Sequence, residues 1–315
     1  MKPELGFIYS EKYLLHETGN HPENKGRLTA ILEAVEKSGL SPRLLRIDPV
    51  PATEEQIALI HGKDYIRSVE RAWDEGHRRL DPDTVICRES FSVALLAAGA
   101  AIGAVDMVLN GDIKRAFCAV RPPGHHAERG RAMGFCLFNN AAIGAEYALR
   151  SRGLKKVFIL DWDIHHGNGT QNSFYHRGDV YYASIHQWPN YPGTGLAEET
   201  GEGEGLGANR NLPVNPFQGD DAYLDIFRES VIPEILRFSP ELVVISAGFD
   251  AHQSDFLASM NVSTEGFGRM TEMVAEAADK VCGGRIVSVL EGGYHLKALG
   301  DSVAVHLEKM MGKER

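Results

Sequence analysis

The sequence predicts an α/β fold in which helices cover both faces of a parallel sheet. Short apolar runs alternate with longer segments of helical period, which is typical of strands joined by crossover helices. The apolar runs are continuous, as expected for strands that are buried on both faces. With 315 residues, of which 43% are hydrophobic, the chain can bury a full core as one large domain or two modest ones.

The clearest predicted strands lie at residues 116–120, 157–160, 242–245 and 286–290. Helical patterns lie at residues 90–109, 141–150, 223–238, 265–281 and 296–311. Thr53 and Gln56 have the spacing of a capping box, which predicts the start of another helix. Glycines that can end helices stand at positions 39, 111 and 153.

The stretch between His186 and Asp220 is rich in Gly, Pro and Asn and lacks apolar periodicity, so we expect a functional surface loop there. Its GEGEGLG segment could suggest a phosphate cradle. However, Glu202 and Glu204 would repel phosphate, and no GKS or GKT follows. A shaped loop is the favoured interpretation.

Charge and composition exclude several classes of function. Lys and Arg number 33 against 43 Asp and Glu, giving a net charge of -10, which argues against binding nucleic acid or anionic lipid but tolerates a cationic substrate. The N-terminus lacks a signal-like pattern, and we find no apolar run of roughly 18 residues. We therefore expect a cytoplasmic protein with no membrane segment. The cysteines form no CxxC pair and are expected to be reduced core residues: Cys87, Cys118, Cys136 and Cys282.

Polar segments follow four of the predicted strands. In chain order they are RPPGHHAE, DWDIHHGNGTQ, AGFDAH and EGGYHL. The carboxyl ends of strands line the ligand crevice in open α/β sheets. Burying polar groups costs free energy unless they form hydrogen bonds or bind a ligand. One shared site therefore explains the four clusters better than four unrelated occurrences.

Metal-ligand spacing occurs in the second of these segments. Alternation along an extended chain points Asp161, Asp163 and His165 to one side, with carboxylate and imidazole two residues apart. Asp250 can supply a third ligand, which gives a set of two Asp and one His. Two carboxylates and one imidazole leave coordination positions open for water and substrate, as in a catalytic site. Such ligands suit Zn²⁺ but also Fe²⁺, Mn²⁺ or Co²⁺. Taken alone, the DxDxH segment could also be a capped turn.

Two further segments carry candidate catalytic groups. The adjacent His125 and His126 could take a proton from water and return one to a leaving amine. Tyr294 could donate its hydroxyl to an oxyanion, because Gly292 and Gly293 let the backbone approach the substrate cavity closely. The alternatives are a structural histidine and a tyrosine that only packs.

The motifs RPPGHHAE, GFCLFNN, DWDIHHGNGTQ, PGTG, GFDAH and LEGGY together resemble those of the histone deacetylase family, in the family's order. The resemblance extends over nearly the whole chain, and it is closest to class II enzymes and bacterial deacetylase-like amidohydrolases. It implies the arginase/deacetylase fold, with an eight-stranded parallel sheet flanked by helices in a single catalytic domain over residues 1–315.

The resemblance also implies two kinds of ion. One catalytic Zn²⁺ would be held by Asp163, His165 and Asp250. A structural monovalent cation, usually K⁺, would lie near Asp161, Ser184 and the backbone of Asp163, His165 and Ile185. A second such cation would take backbone carbonyls of Phe174, Arg177 and Val180.

By the same resemblance, Phe135 and Tyr191 face each other across a narrow tunnel that holds an acyl-lysine stem, with Gly134 beside it. Core packing is the ordinary alternative for the two aromatic rings. Asp83 corresponds to a rim carboxylate that binds the substrate backbone, and Arg27 to an arginine that lines an internal channel.

In the family pattern, His125 pairs with Asp161, and His126 pairs with position 168. That position is Asn168 here, whereas class I enzymes have a carboxylate. A neutral amide favours imidazolium less than a carboxylate does, so we expect His126 to be the general base and His125 to give electrostatic support. The presence of Tyr294, rather than the histidine of the weakly active vertebrate class IIa branch, predicts real deacetylase activity.

The expected substrates are acetylated lysine peptides or small acetylated amines. Leu257 stands where a polyamine-selective relative has a gatekeeping glutamate, which disfavours the alternative of an acetylpolyamine amidohydrolase. Arginase-like ureohydrolysis would need two metals. An inactive acyl-lysine binding module is the alternative from another class. The sequence leaves the acyl preference, the substrate in the cell, the resident metal and the oligomeric state open.

Overall fold

A single eight-stranded sheet forms the centre of the computed structural model, which describes residues 5–312. All neighbouring strands are parallel, in the order β2-β1-β3-β8-β7-β4-β5-β6, so the predicted sheet is confirmed. The strands are β1 Leu5–Ile8, β2 Leu45–Ile47, β3 Arg115–Cys118, β4 Val157–Asp161, β5 Val180–Gln187, β6 Asn209–Val214, β7 Leu242–Ala247 and β8 Ile286–Leu290.

Two groups of helices cover this sheet. The helices are α1 Gly26–Lys37, α2 Glu54–Ile57, α3 Lys63–Ala72, α4 Ser90–Asn110, α5 Asn140–Arg150, α6 Asn168–Phe174, α7 Asp220–Ile226, α8 Ile232–Phe238, α9 Thr264–Cys282 and α10 Leu296–Met311. Helices α4 and α5 pack together against strands that include β3, β4 and β8, and α10 packs between α1 and α9. Both groups bury apolar residues against the central strands, most of which are fully buried.

Most of the local signals in the sequence are confirmed. Thr53 and Gln56 form a capping box at the start of α2. Gly39, Gly111 and Gly153 have φ values of 72°, 75° and 78°, in the left-handed region that favours glycine after a helix. The four cysteines are free thiols, but Cys87 is only partly buried and is not a core residue as expected.

The predicted helix at residues 223–238 is not α-helical throughout. Between α7 and α8, the segment Phe227–Val231 forms a π-helical turn. Pro233, in the first turn of α8, has no N–H to donate to the preceding turn, and its ring crowds the carbonyl there. A wider π turn is the local adjustment that keeps the helix continuous.

The stretch after His186 is not all loop, because it contains the edge strand β6. The residues of this strand that face inward include Asn209 and Asn211, whose side-chain amides donate to Gln171 Oε1 at 3.1 and 2.8 Å. Polar residues at buried positions conceal the apolar pattern that would have predicted the strand.

Helix α4 contradicts the expectation that no stretch is apolar and long enough to cross a membrane. The helix has 21 residues, of which Asp106 is the one charged residue. By length and composition alone, it could cross a membrane. However, 67% of its most apolar window is buried inside the protein, as in the core helix of a globular domain.

Candidate metal centre and catalytic site

The four polar segments of the sequence meet because their strands are neighbours. Strands β3, β8, β7 and β4 are consecutive in the sheet and parallel, so their carboxyl ends share one edge. The residues that follow these strands are therefore brought together, as predicted for ligands in an open α/β sheet.

Three ligating side chains converge at this edge. His165 Nδ1 lies 3.1 Å from Asp163 Oδ1 and 3.2 Å from Asp250 Oδ2. Three ligand atoms of one tetrahedral Zn²⁺ lie about 3.3 Å apart, so these separations suit a single ion. Apart from this approach of His165 Nδ1, the buried Asp250 Oδ2 has no hydrogen-bond partner within residues 5–312, as expected of an atom that binds a metal. The three residues thus fit a divalent cation.

The backbone fixes the orientation of both carboxylates. Asp163 Oδ2 accepts the N–H of Gly292 at 2.7 Å, and Asp250 Oδ1 accepts that of Ile164 at 2.9 Å. A side chain at position 292 would place its Cβ 2.2 Å from Asp250 Oδ2, so glycine is required for this close approach. Asp163 Oδ1 also accepts the N–H of His165 at 2.9 Å, whereas Asp250 Oδ2 is bound by no backbone amide and lies beside the His165 ring.

Electrostatics at the centre favour a bound positive charge. Burial and the nearby Asp163 raise the pKa of Asp250 to about 7. Burial would lower the pKa of His165, but Asp163 and Asp250 outweigh it and raise this pKa to about 10. The buried acidic side chains of this centre thus favour a positively charged partner, and a divalent cation would meet that demand.

The paired histidines lie beside this centre, and each has a different partner. Their ring centroids are 4.0 Å apart. His125 Nδ1 lies 3.1 Å from Asp161 Oδ2, and His126 Nδ1 lies 2.8 Å from Asn168 Oδ1. The hydroxyl of Tyr182 also donates to Asp161 Oδ2, at 3.1 Å. The structure therefore gives one imidazole a carboxylate partner and the other an amide.

The hydrogen bonds assign a tautomer to His126. Asn168 Nδ2 donates to the carboxylate of Glu128 at 2.8 Å, so the amide oxygen of Asn168 faces His126. His126 Nδ1 must then carry the proton, which leaves the lone pair on Nε2. Burial, followed by the charges of His125 and His165, holds the pKa of His126 well below its ordinary value, so this ring is neutral.

His125 has the opposite charge state. Burial would lower its pKa, but Asp163 and Asp161 outweigh that effect and raise the pKa to about 10. The site therefore contains a neutral imidazole with a free lone pair beside an imidazolium. This pairing can accept a proton at one ring while a positive charge is held at the other.

Aromatic rings line the approach to these groups. Tyr191 makes an edge contact with His126 at 5.1 Å between ring centroids, and Phe135 makes one with Tyr294 at 5.8 Å. Gly134, at φ 56°, lies so close to His126 that a Cβ would stand 2.3 Å from Cδ2 of the ring. The predicted tunnel residues therefore lie around the site, with Tyr191 at 37% exposure on its outer side.

The other residues singled out in the sequence differ in their surroundings. Burial and Asp81 raise the pKa of the half-buried Asp83 to about 6. Arg27 is fully buried, and its guanidinium lies 5.0 Å from the centroid of the Tyr294 ring. Leu257 is partly buried in the loop after β7.

The residues implied for monovalent cations have backbone and side-chain neighbours of their own. Asp161 and Ser184 are register partners on β4 and β5, and Ser184 Oγ lies 2.9 Å from His186 Nδ1. Ile185 and Val180 lie on the same buried strand, β5. The carbonyl of Phe174 accepts the N–H of Arg177 at 2.9 Å.

Sequence reasoning missed two buried carboxylates that hold the catalytic segments in place. Glu291 Oε2 accepts the N–H of His125 at 3.1 Å, and Asp255 Oδ2 accepts that of Tyr294 at 2.6 Å. Glu291 lies in the LEGGY motif, and Asp255 lies two residues before Leu257. Their partners are backbone amides, however, which leave no spacing pattern to recognise. An acidic residue directly after the apolar run of β8 was the available signal for Glu291, and no comparable signal marked Asp255.

The fold and the site together define a class of α/β hydrolytic enzyme with a candidate one-metal centre at the carboxyl edge of a parallel sheet. Residues 21–310 match the histone deacetylase domain. The chain is 43% identical over 316 residues to a histone deacetylase-like amidohydrolase of Pseudomonas aeruginosa, covering 93% of this chain and 82% of that protein. It is 38% identical over 303 residues to human polyamine deacetylase HDAC10, covering 92% of this chain and 44% of that protein.

The crystal structure of the HDA15 HD domain superposes on this chain with a TM-score of 0.94 at 36% sequence identity, covering 99% of this chain and 89% of the other. These matches show that the chain belongs to the histone deacetylase family. It is accordingly a hydrolytic deacetylase of the amidohydrolase type.

Proposed function

We propose that this chain is a zinc-dependent amidohydrolase that removes acetyl or related acyl groups from lysine side chains or small amines. The observation that carries this proposal is the convergence of Asp163, His165 and Asp250 beside a neutral His126 with a free Nε2. Among the residues that the structure describes, one cluster of three possible metal ligands is found. A single cluster favours one metal over the two metals of an arginase-like ureohydrolase.

The divalent ion would polarise the acyl carbonyl and lower the pKa of a bound water. His126 would accept the proton of the attacking water at Nε2, the position that its tautomer leaves free. Once protonated, the same ring could return that proton to the leaving amine, so that the amide C–N bond breaks and a carboxylate and an amine form.

Two further groups would stabilise the charge that develops on the substrate. Tyr294 is nearly buried and would donate its hydroxyl to the oxyanion. His125 and its partner Asp161 would keep a positive charge beside the reacting centre. Donors of this kind act strongly because little water reaches them.

The surroundings of the site favour a slim, uncharged stem. Phe135, Gly134 and Tyr191 would enclose the methylene chain of the amine, and Asp83 would bind polar groups of the substrate at the rim. Leu257 offers no negative charge to a second ammonium, which supports acetyl-lysine or a small monoamine over a polyamine. The relative that is named a polyamine deacetylase keeps the polyamine as the second candidate.

A substrate panel with metal control tests the proposal. Acetyl-lysine peptides, acetylputrescine and small acetylated monoamines would be assayed after chelator treatment and after addition of Zn²⁺, Fe²⁺, Mn²⁺ or Co²⁺. We expect turnover that disappears with chelator, returns with metal and is greatest for acetyl-lysine or monoamines. Binding of acyl-lysine without turnover under any metal would instead indicate an inactive binding module.

Two features stay predictions. A K⁺ ion near Ser184, where β5 lies next to β4, would be structural. The thermal midpoint of unfolding should therefore be lower in buffer that contains neither sodium nor potassium. The cytoplasmic location rests on the composition of the sequence alone.

A further inference from the structure

The peptide bond between Gly293 and Tyr294 is held from both sides by buried side chains. On the carbonyl side, Arg27 Nε donates to the oxygen of Gly293 at 2.7 Å. On the amide side, Asp255 Oδ2 accepts the N–H of Tyr294 at 2.6 Å. Because the six atoms of a peptide unit are nearly coplanar, two opposed hydrogen bonds fix its plane and therefore the direction in which the Tyr294 side chain leaves the backbone.

The residues just before Tyr294 cannot orient it themselves. Gly293 has φ 118°, a conformation that side chains rarely allow, and Gly292 must be a glycine to fit against Asp250. Two successive residues without side chains supply backbone freedom but no packing. The orientation of Tyr294 must therefore come from contacts made by other parts of the chain.

Asp255 is suited to supply that contact. Its side chain is buried, with 8% of the residue exposed, and both carboxylate oxygens are used. Oδ2 accepts the N–H groups of Tyr294 and His295, the latter at 3.0 Å, while Oδ1 accepts that of Leu257 at 3.1 Å. Hydrogen bonds to a carboxylate with little access to water are stronger than those between neutral groups.

The same carboxylate links two functions of the site. Leu257 belongs to the loop after β7, at the position considered above for substrate selection, whereas Tyr294 lies at the proposed reaction centre. Along the chain these two residues are separated by helix α9 and strand β8. Asp255 is therefore the direct polar connection between the loop and the tyrosine.

We propose that Asp255 is a positioning residue that holds the Tyr294 hydroxyl where the substrate oxyanion forms and couples this placement to the Leu257 loop. The proposal rests on the deacetylase activity described above. It gives Asp255 no contact with the substrate, so its whole effect on the reaction passes through Tyr294.

A double-mutant cycle tests this dependence on the metal-loaded protein. We expect Asp255→Ala to lower kcat by about 10- to 100-fold with little change in KM, because small displacements of catalytic groups have effects of this size. Tyr294→Phe should lower kcat by about 10²- to 10³-fold, as for loss of an oxyanion donor. The double variant should be within about twofold of Tyr294→Phe, since no hydroxyl remains to be positioned.

The conservative variant and a matched control separate positioning from folding. Asp255→Asn keeps one acceptor oxygen and should lose less kcat than Asp255→Ala. Asp220 also caps a loop, accepting the N–H of Ser263 at 2.7 Å, but it has no bond to Tyr294. Asp220→Ala should therefore lower the thermal midpoint without changing kcat.

Hydrogen exchange gives a readout that does not depend on activity. In metal-free protein, the amides of Tyr294 and His295 should exchange faster in Asp255→Ala than in the unmodified chain, while peptides from β8 should be unchanged. Equal losses of kcat from Asp255→Ala with and without the Tyr294 hydroxyl would overturn the proposal, as would unchanged exchange at these amides. If the unmodified chain hydrolysed none of the acyl amines, the proposed function would fail instead, and the exchange result would still decide the placement.

Discussion

At the scale of single residues, the two imidazoles of the site differ because their hydrogen-bond partners differ. A carboxylate beside His125 favours its charged form, and an amide beside His126 does not. The amide is itself oriented by Glu128, which leaves His126 one tautomer. The hydrogen bonds that link Glu128, Asn168 and His126 thus leave the lone pair of His126 Nε2 free to act as a base.

Replacing His126 tests that assignment. His126→Ala should lower kcat by about 10²- to 10⁴-fold, the range of general acid–base catalysis, because no other neutral imidazole lone pair faces the centre among the residues described. Zinc content after dialysis should be unchanged, since His126 is not in the ligand cluster. The exposed His176, replaced by alanine, serves as a control and should keep full turnover. Near-normal turnover of His126→Ala would exclude it as the base.

Replacing a proposed ligand tests the metal centre itself. Asp250→Asn keeps the size of the side chain but removes its charge. It also replaces one of its two oxygens by an NH₂ group, which cannot bind a metal. We expect the unmodified chain to gain thermal stability when Zn²⁺ is added, by about 2.7 kcal/mol at a free concentration 100 times Kd, and Asp250→Asn to lose most of this gain. Calorimetric titration with Zn²⁺ measures the affinity directly. A variant that bound zinc as tightly as the parent would remove Asp250 from the ligand set.

At the scale of elements, helix α4 contains two glycines with different surroundings, one in close contact with the backbone of another segment and one beside open space. At Gly99, an added Cβ would stand 1.9 Å from the carbonyl oxygen of Val50 and 2.8 Å from the amide nitrogen of Ala52. This glycine lets the segment before α2 cross the helix. At Gly103, an added Cβ would meet nothing within 4 Å.

The two alanine variants should therefore shift stability in opposite directions. Gly99→Ala should destabilise the protein by about 1–3 kcal/mol, because the neighbouring atoms are backbone and cannot move aside easily. Gly103→Ala should stabilise it by about 0.5–1 kcal/mol through the loss of backbone freedom in the unfolded chain. Urea unfolding midpoints of the two variants and the parent measure both effects. Equal shifts of the same sign would contradict the packing described for Gly99.

The sequence predicted the central elements better than the edges of the sheet. Strands such as β4 and β7 are buried on both faces and read as continuous apolar runs, so they could be recognised directly. The edge strand β6 buries asparagines instead, and their hydrogen bonds to Gln171 replace the apolar signal. The π turn before α8 depends on how a proline is accommodated, which a helical period does not specify.

At the scale of the whole molecule, strand order determines which distant segments share a site. The sequence could show that four strands end in polar groups, and parallel topology implied one edge. Spacing along the chain suggested the set of two Asp and one His that the geometry brings together, and the resemblance to the family implied the same set. Asp255 and Glu291 remained unassigned because they bind backbone amides, whose positions depend on the complete fold.

Buried histidines make the stability of the whole molecule sensitive to acid. Burial lowers the pKa of His306 to about 3 and is the largest cause in lowering those of His16 and His61 to about 4. An unfolded histidine titrates near pH 6.5. Between these values the unfolded chain binds more protons than the folded one, so the stability present above pH 6.5 falls as the pH drops toward the folded pKa.

His306 offers the cleanest test, since its ring lies between the hydroxyls of Thr271 and Ser288, at 2.7 and 2.9 Å, away from the metal ligands. From pH 7.5 to 5.5, its protonation in the unfolded chain should cost about 1.4 kcal/mol of stability. His306→Leu should be less stable than the parent at pH 7.5, because Ser288 loses its partner, yet it should lose about 1.4 kcal/mol less on acidification. Urea unfolding of metal-free protein at both pH values measures the difference while excluding acid release of a bound ion. Parallel losses in parent and variant would show that His306 takes up its proton in the folded state as readily as in the unfolded chain.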